Sequence, residues 1–397
     1  MLTLRLVLIS VIIGGIAVII YAVDNDNINK KKQLKLLHII FRHGIRTPAD
    51  TYPNDPYINE TLYPVGWGQI TNEGKVNLYE HGVYLRKRYG DFLGEHYSPS
   101  TYYVQTTDVD RTKVSAQCIN AGLWPPSSAQ KWGALDWLPI PTNSEPLNSD
   151  NLLLVRRPCP KYHLELQRVL NTPEIIARLR SEHSLYVNLT QHTGKEIKNF
   201  EDVQDIFTTL MSEEAYGLEL PAWTKQFYPN RMLNSTVFSY ILNAYNNQLN
   251  RLKGGVFLKK LIADWKAAVT DNKQKTFLYI GHDSTIVNLL STLKVWDPQI
   301  PGFAINTLLE FSFNETRKEF GLEIFLRNST NVSDTPYQLT IPGCEKFCPL
   351  QKLIQLTEDV IPVNWEEECK VEDSSYTPPG ERYFYETLQM YRIHLIS

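Results

Sequence analysis

The stretch that decides the fold is Leu34-Lys35-Leu36-Leu37-His38-Ile39-Ile40-Phe41, followed at once by Arg42-His43-Gly44-Ile45-Arg46-Thr47-Pro48. A short apolar run rich in Leu and Ile suits a strand buried on both faces. The glycine and the charged residues after it end the strand and start a polar turn. The same grammar recurs twice. Tyr102–Gln105 reads as a strand that runs into Thr106-Thr107-Asp108, with a helix from about Arg111 to Leu123 stopped by Pro125-Pro126. Thr276–Ile280 reads as a strand that runs into Gly281-His282-Asp283, with a helix from Ser284 to Leu293.

Working outward, Thr71–Arg88 carries an approximate helical stripe (Val76, Tyr79, Val83 and others) with Thr71 placed to cap it. Gly254–Ala268 reads as a further helix, and Leu308–Phe313 and Leu322–Leu326 alternate as strands do. Strand and helix alternate on both sides of a central segment. This predicts an α/β fold with a mostly parallel sheet flanked by helices. From Cys159 to about Gly255 the texture is polar and helical. Leu166, Val169 and Leu170 share one helical face, and Ile175, Ile176 and Leu179 repeat the spacing after Pro173. The expected organisation is an α/β domain in two parts, 33–158 and 258–372, an inserted, mainly helical domain at 159–257, and a tail at 373–397.

Of the 397 residues 43% are hydrophobic and 21% charged, enough to bury a large core. A formal net charge of -3 supplies no general basic field for nucleic acid. Arg5 precedes a charge-free, mostly apolar run, Leu6–Val23, which reads as a secretory signal peptide, cleaved or retained as a membrane anchor. Sequons at Asn59, Asn188, Asn234, Asn314, Asn328 and Asn331 agree with export and glycosylation. Cys344 and Cys348 lie in a C-x-x-x-C loop that a short disulfide can close, which leaves Cys159 and Cys369 able to bridge over a long range in an oxidising compartment. Cys118, in an apolar helical stretch, reads as a buried inert thiol. With no C-x-x-C pair or adjacent histidine, a zinc site is disfavoured.

The three polar turns all follow buried strands, and in open α/β sheets that edge is where ligands bind. They supply Arg42, Arg46, Arg111, His43, His282 and carboxylates. Guanidiniums meet phosphoryl oxygens in bidentate fashion and stay charged. Arg42 and Arg46 disfavour an imidazolium at His43, so the ring stays neutral and nucleophilic in mild acid. Asp283 is the candidate proton donor for the leaving alcohol. As a helix cap, Asp283 would favour its ionised form, which opposes that role. Asp108 or Asp110 is expected to cap the helix that Arg111 enters.

At these residues the resemblance is to a family. RHGIRTP resembles the R-H-G-x-R-x-P signature of the histidine acid phosphatases. TTDVDRT and GHDST resemble their second arginine segment and their distal His-Asp motif. YGDFLG (Tyr89–Gly94), YGLELPAW (Tyr216–Trp223) and LTIPGCEKFCPL (Leu339–Leu350) are similar to the insect venom members. The resemblance runs from about Leu34 to Cys369. It implies an acid phosphatase of phosphoglycerate-mutase-like fold with a helical cap, His43 as nucleophile, Asp283 as proton donor, and Arg42, Arg46, Arg111 and His282 as phosphate ligands. It further implies no metal or other cofactor, small phosphate monoesters or a phosphoprotein as substrate, often a homodimer, and a secreted or lysosomal location. The cysteine pairs proposed above match the family pattern; a third bridge of the prostatic and lysosomal members has no counterpart here. Ile45 stands where many members are acidic, which makes the mouth of the site more apolar. A phytase or other inositol-phosphate phosphatase shares the motifs, but the acidic residues among the basic ones in 159–257 disfavour it. A catalytically silent secreted binding protein is disfavoured by the intact motif set.

Overall fold

The computed structural model describes residues 32–270, 273–373 and 376. The apolar run Leu6–Val23 and most of the 373–397 tail lie outside these residues. The central sheet has eight strands: β1 (Lys32–Arg42), β2 (Tyr102–Thr107), β3 (Asn143–Glu145), β4 (Thr276–Gly281), β5 (Asn306–Asn314), β6 (Glu319–Arg327), β7 (Tyr337–Leu339) and β8 (Cys348–Pro349). They are ordered β3-β2-β4-β1-β5-β6-β7, with β8 also on β6. The pairs β3-β2, β2-β4 and β4-β1 are parallel, while β5 runs antiparallel to both β1 and β6. So β6 points the same way as β1, and five of the eight strands share one direction.

The continuous apolar reading of β1 has a simple cause: side chains alternate between two covered faces. Leu36 and Ile40 enter one core, with Phe277 and Tyr279 of β4. Leu37, Ile39 and Phe41 enter the other, with Leu278 and Ile280. The first core is closed by α10 (Gly254–Thr270) and α11 (Asp283–Thr292), the second by α1 (Asn72–Leu93) and α2 (Asp110–Leu123). The Thr71 hydroxyl caps α1 by accepting the Gly74 amide. Helices α1 and α2 cross backbone to backbone. A Cβ at Gly82 would stand 2.1 Å from the Ile119 carbonyl oxygen, and one at Gly122 2.2 Å from that of Tyr79. Only glycine fits this crossing.

Between β3 and β4 the chain is helical: α3 (Pro160–Leu170), α4 (Pro173–Ser181), α5 (His183–Thr193), α6 (Phe200–Tyr216), α7 (Thr224–Phe227), α8 (Asn230–Leu242) and α9 (Asn247–Leu252). After β8 come α12 (Leu350–Thr357) and α13 (Trp365–Glu368). The helical segment forms two further apolar cores; one takes in Val155 and Trp365, the other Tyr52 from the chain just beyond Pro48. Disulfides join Cys159 to Cys369 and Cys344 to Cys348. Cys118 is half-buried on α2, and burial pushes its thiol up, which keeps it protonated and unreactive.

One expectation is corrected. Neither Asp108 nor Asp110 caps α2: Val109 holds the cap position without a side-chain hydrogen bond, and Asp110 lies in the first turn. The Thr112 hydroxyl fastens the turn by donating to the Thr107 and Val109 carbonyls, which frees Asp108 to pair with Lys113 and Ser144.

Candidate active site

Strands β2, β4 and β1 are parallel neighbours, so their carboxyl ends bring the three polar turns to one place. Arg42 is the last residue of β1 and pairs in register with Gly281, the last of β4. The His43 amide donates to the Gly281 carbonyl at 3.0 Å, and the His43 carbonyl accepts the Ala304 amide at 3.0 Å. The nucleophile candidate is therefore fixed by backbone on both sides. Gly281 must be glycine, since a Cβ there would lie 2.2 Å from Thr285 Oγ1.

His43 is 2% exposed. Its Nδ1 lies 3.0 Å from the Gly44 carbonyl oxygen, which can only accept. Nδ1 thus carries the hydrogen, and Nε2 of the neutral ring keeps its lone pair. Burial pushes the imidazole well below its ordinary range, and Arg111, Arg42, His282 and Arg46 push the same way. An uncharged, nucleophilic ring in acid follows from this setting.

The cationic side of the site is built from all three turns. Arg42 is 1% exposed; it donates through Nη1 to the Pro301 carbonyl and lies 4.8 Å over the Phe303 ring. Arg46 is buried and donates to the Thr47 carbonyl at 2.9 Å. Arg111, in the first turn of α2, is pressed down to about 9 by burial and then by Arg46, with Asp50 and Asp283 opposing, so it stays charged in acid. His282 is buried, with Nε2 3.0 Å from Thr107 Oγ1, and its ring centroid lies 5.5 Å from that of His43. Burial, Arg111 and Arg156 hold His282 well below its ordinary range.

Asp283 opens α11 rather than preceding it; His282 takes the cap position. The Asp283 side chain is 20% exposed, and its Oδ2 lies 3.2 Å from Arg42 Nη2. Oδ1 accepts the Ser284 amide at 2.7 Å, and Oδ2 accepts the Tyr240 hydroxyl at 3.1 Å. All six residues singled out from the sequence thus converge on one largely buried, guanidinium-rich cluster with a partly open carboxyl at its side. This suits in-line attack on a tetrahedral dianion, whose charge the guanidiniums match.

Several neighbours were not foreseen. Thr107 stands within the second motif and was visible there. Tyr240 comes from α8, in a segment without any motif. In the sequence Asn328 stands out only as a sequon, yet its side chain holds the loop that carries Pro301. Of the other sequons, Asn59, Asn234 and Asn331 are exposed, Asn188 is half-buried and Asn314 is buried.

Comparison with known proteins bears on the family and the fold. Residues 33–312 match the histidine phosphatase superfamily (branch 2). The chain is 35% identical to the venom acid phosphatase of Apis mellifera over 345 residues, 85% of this chain and 88% of that one. It is 33% identical to human lysosomal acid phosphatase (86% and 81% covered) and 34% identical to human prostatic acid phosphatase (86% and 89%). Among solved structures, the apo phytase of Hafnia alvei superposes with a TM-score of 0.62 at 17% identity, over 86% of this chain and 99% of that one. The phytase of Klebsiella sp. ASR1 gives 0.64 at 16%, over 88% and 100%. At such identities the structures speak for the fold, whereas the sequence relatives and the matched domain speak for descent: the chain belongs to the histidine phosphatase superfamily, branch 2.

Proposed function

We propose that this chain is an acid phosphatase that hydrolyses phosphate monoesters through a phosphohistidine at His43. The single observation that carries the reading is the His43 ring, held neutral with Nε2 bearing the lone pair, inside a ring of arginines. His43 Nε2 attacks phosphorus, the bond to the leaving oxygen breaks, and that oxygen takes a proton from Asp283. Water deprotonated by Asp283 then releases phosphate and restores the imidazole. Arg42, Arg46, Arg111 and His282 hold the equatorial oxygens, and the three guanidiniums supply the charge neutralisation that the transfer needs.

In this reading 159–257 is a cap domain set between the two parts of the α/β domain, 33–158 and 258–372, and it frames the leaving group. Asp50 acts on Arg111, and Asp205, raised chiefly by burial, also feels Glu201 and Asp50, so carboxylates lie beside the clamp along with Arg156. That favours simple monoesters over polyphosphorylated inositols. The proposed setting is the lysosomal lumen or the extracellular space, consistent with the names of the sequence relatives. Among the described residues no helix is long and apolar enough to cross a membrane. A homodimer is part of the proposal, with exposed Trp132, Leu135 and Trp137 as apolar surface for it.

The test is turnover of p-nitrophenyl phosphate in mildly acidic buffer with EDTA, and acid-quenched labelling by a radiolabelled ester. Activity and label are expected in the native chain, and both are lost in His43→Ala. A label that persists in His43→Ala would mean another nucleophile.

A further inference from the structure

Tyr240 is a buried residue of α8, in the helical segment, whose hydroxyl donates to Asp283 Oδ2 at 3.1 Å. No motif marks it. A buried hydroxyl needs a hydrogen-bond partner, and the Asp283 carboxyl supplies one. The two oxygens of Asp283 are treated differently. Oδ1 is held by the Ser284 amide on its own helix at 2.7 Å. Oδ2 lies between Arg42 Nη2, 3.2 Å away in the phosphate clamp, and the Tyr240 hydroxyl. Oδ2 is thus the oxygen on the side of the Arg42 guanidinium, and it is held from the helical side by Tyr240.

We propose that Tyr240 is a positioning residue for proton transfer to the leaving group, acting through Asp283. This rests on the reading of Asp283 as proton donor. As the bond from phosphorus to the leaving oxygen breaks, its electron pair stays on that oxygen, which takes the proton from Asp283 Oδ2. Negative charge then appears on Oδ2, and the Tyr240 O–H bond points at it. A hydrogen bond to a charged acceptor is about twice as strong as one to a neutral acceptor, so this contact strengthens as the proton leaves. An interaction that grows toward the transition state acts on kcat and leaves KM alone. It matters only where the leaving oxygen needs the proton, as in alkyl esters, and hardly at all for p-nitrophenolate, which departs without one.

The experiment compares Tyr240→Phe, Asp283→Asn and the double variant on β-glycerophosphate and p-nitrophenyl phosphate. Tyr240→Phe keeps the ring and removes only the hydroxyl. It is expected to lower kcat on β-glycerophosphate on the order of tenfold, as for loss of one charge-assisted hydrogen bond. The kcat/KM on p-nitrophenyl phosphate, which reports the transfer step apart from the later water attack that Asp283 also serves, should stay within about twofold, KM for β-glycerophosphate should be unchanged, and Asp283→Asn should absorb the effect in the double variant. Equal losses on both esters, a change in KM alone, or a full additional loss on top of Asp283→Asn would each overturn the assignment. If Asp283→Asn itself loses evenly on the two esters, the donor reading falls first and Tyr240 with it. If Asp283→Asn is leaving-group-selective and Tyr240→Phe is not, only the Tyr240 assignment falls. Retained near-native melting of Tyr240→Phe separates these outcomes from misfolding.

Discussion

Asn328 brackets the loop residue that holds Arg42: its side-chain oxygen accepts the Gly302 amide at 2.8 Å and its Nδ2 donates to the Ile300 carbonyl at 2.8 Å. Pro301 lies between these two residues, and its carbonyl receives Arg42 Nη1. A further bond from Nδ2 to Gln299 Oε1, 2.6 Å, completes the bracket. The guanidinium at the end of β1 is therefore aimed by a residue some distance along the chain, at the end of β6.

Replacing Asn328 by Ala should release Pro301 without touching any residue of the pocket. The lost hydrogen bonds cost about 1–3 kcal/mol of stability. Arg42 then samples orientations that meet phosphate less well. We expect KM for p-nitrophenyl phosphate and the inhibition constant of inorganic phosphate to rise together, several-fold, with a smaller change in kcat. Steady-state kinetics reads this, and an unchanged phosphate inhibition constant would free Arg42 from dependence on the loop.

The same geometry bears on glycosylation. The Asn328 amide nitrogen already donates twice, and Asn314 is buried in β5 with its oxygen taken by the Thr316 and Arg317 amides. The Asn328 amide nitrogen is thus engaged in the folded chain, and Asn314 shows little surface. Asn59, Asn234 and Asn331 stand exposed. Peptide mapping of protein expressed in a secretory host should find glycan at the exposed three and bare asparagine at 314 and 328. Full occupancy at Asn328 would contradict the bracket described above.

What the sequence made legible follows from where the signal is local. Leu34–Phe41 and Thr276–Ile280 are apolar on both faces, and a polar turn follows each, so strands, helices and pocket residues could be read together. The strand ends moved outward, to Lys32 and Gly281, because pairing in the sheet continues past the apolar run. β3 is the polar tripeptide Asn143–Glu145, set in the sheet by its pairing with β2, and no periodicity announces it. The α2 cap went to Val109 because Thr112 and Lys113 engage the turn first. Tyr240 and Asn328 stayed hidden for a related reason: each acts on a partner far away in sequence, a relation that a single chain does not spell out.

The crossing of α1 and α2 gives a sharp stability test. At Gly122 a Cβ would press on the Tyr79 carbonyl at 2.2 Å and on the Val83 amide nitrogen at 2.7 Å, both backbone atoms that cannot turn aside. Gly122→Ala must separate the two helices, and with them the second apolar core under β1. Overpacking of this kind costs about 1–3 kcal/mol, and here the upper end is expected because no side chain can yield. Thermal unfolding should show a clearly lower melting temperature with the phosphate inhibition constant unchanged in the folded fraction. A neutral result would mean that α1 and α2 shift apart freely.

Glu213 should make stability depend on pH in a direction set by its surroundings. It is fully buried on α6, and neither carboxyl oxygen has a hydrogen-bond partner among the described residues. Burial raises it from 4.5 to about 8, and Asp55, buried in the segment after Pro48, adds repulsion. Burial raises Tyr52, from the same segment, with Glu213 adding to it, and burial and Glu214 raise Tyr228, between α7 and α8, with a smaller push from Glu213. On α6 itself Asp205 is raised to about 6, again by burial, with Lys195 opposing. The folded chain thus keeps a proton on Glu213 that the unfolded chain releases near 4.5. Stability from this group is complete below about 4.5 and is lost as pH climbs through about 8. Asp205 contributes a smaller loss in the same sense. Glu213→Gln, which is neutral at every pH, should melt like the native chain at about pH 4 and above it near pH 8. If the native chain and Glu213→Gln show the same fall in melting temperature across that range, Glu213 is not the group that links acid to the packing of the helical segment.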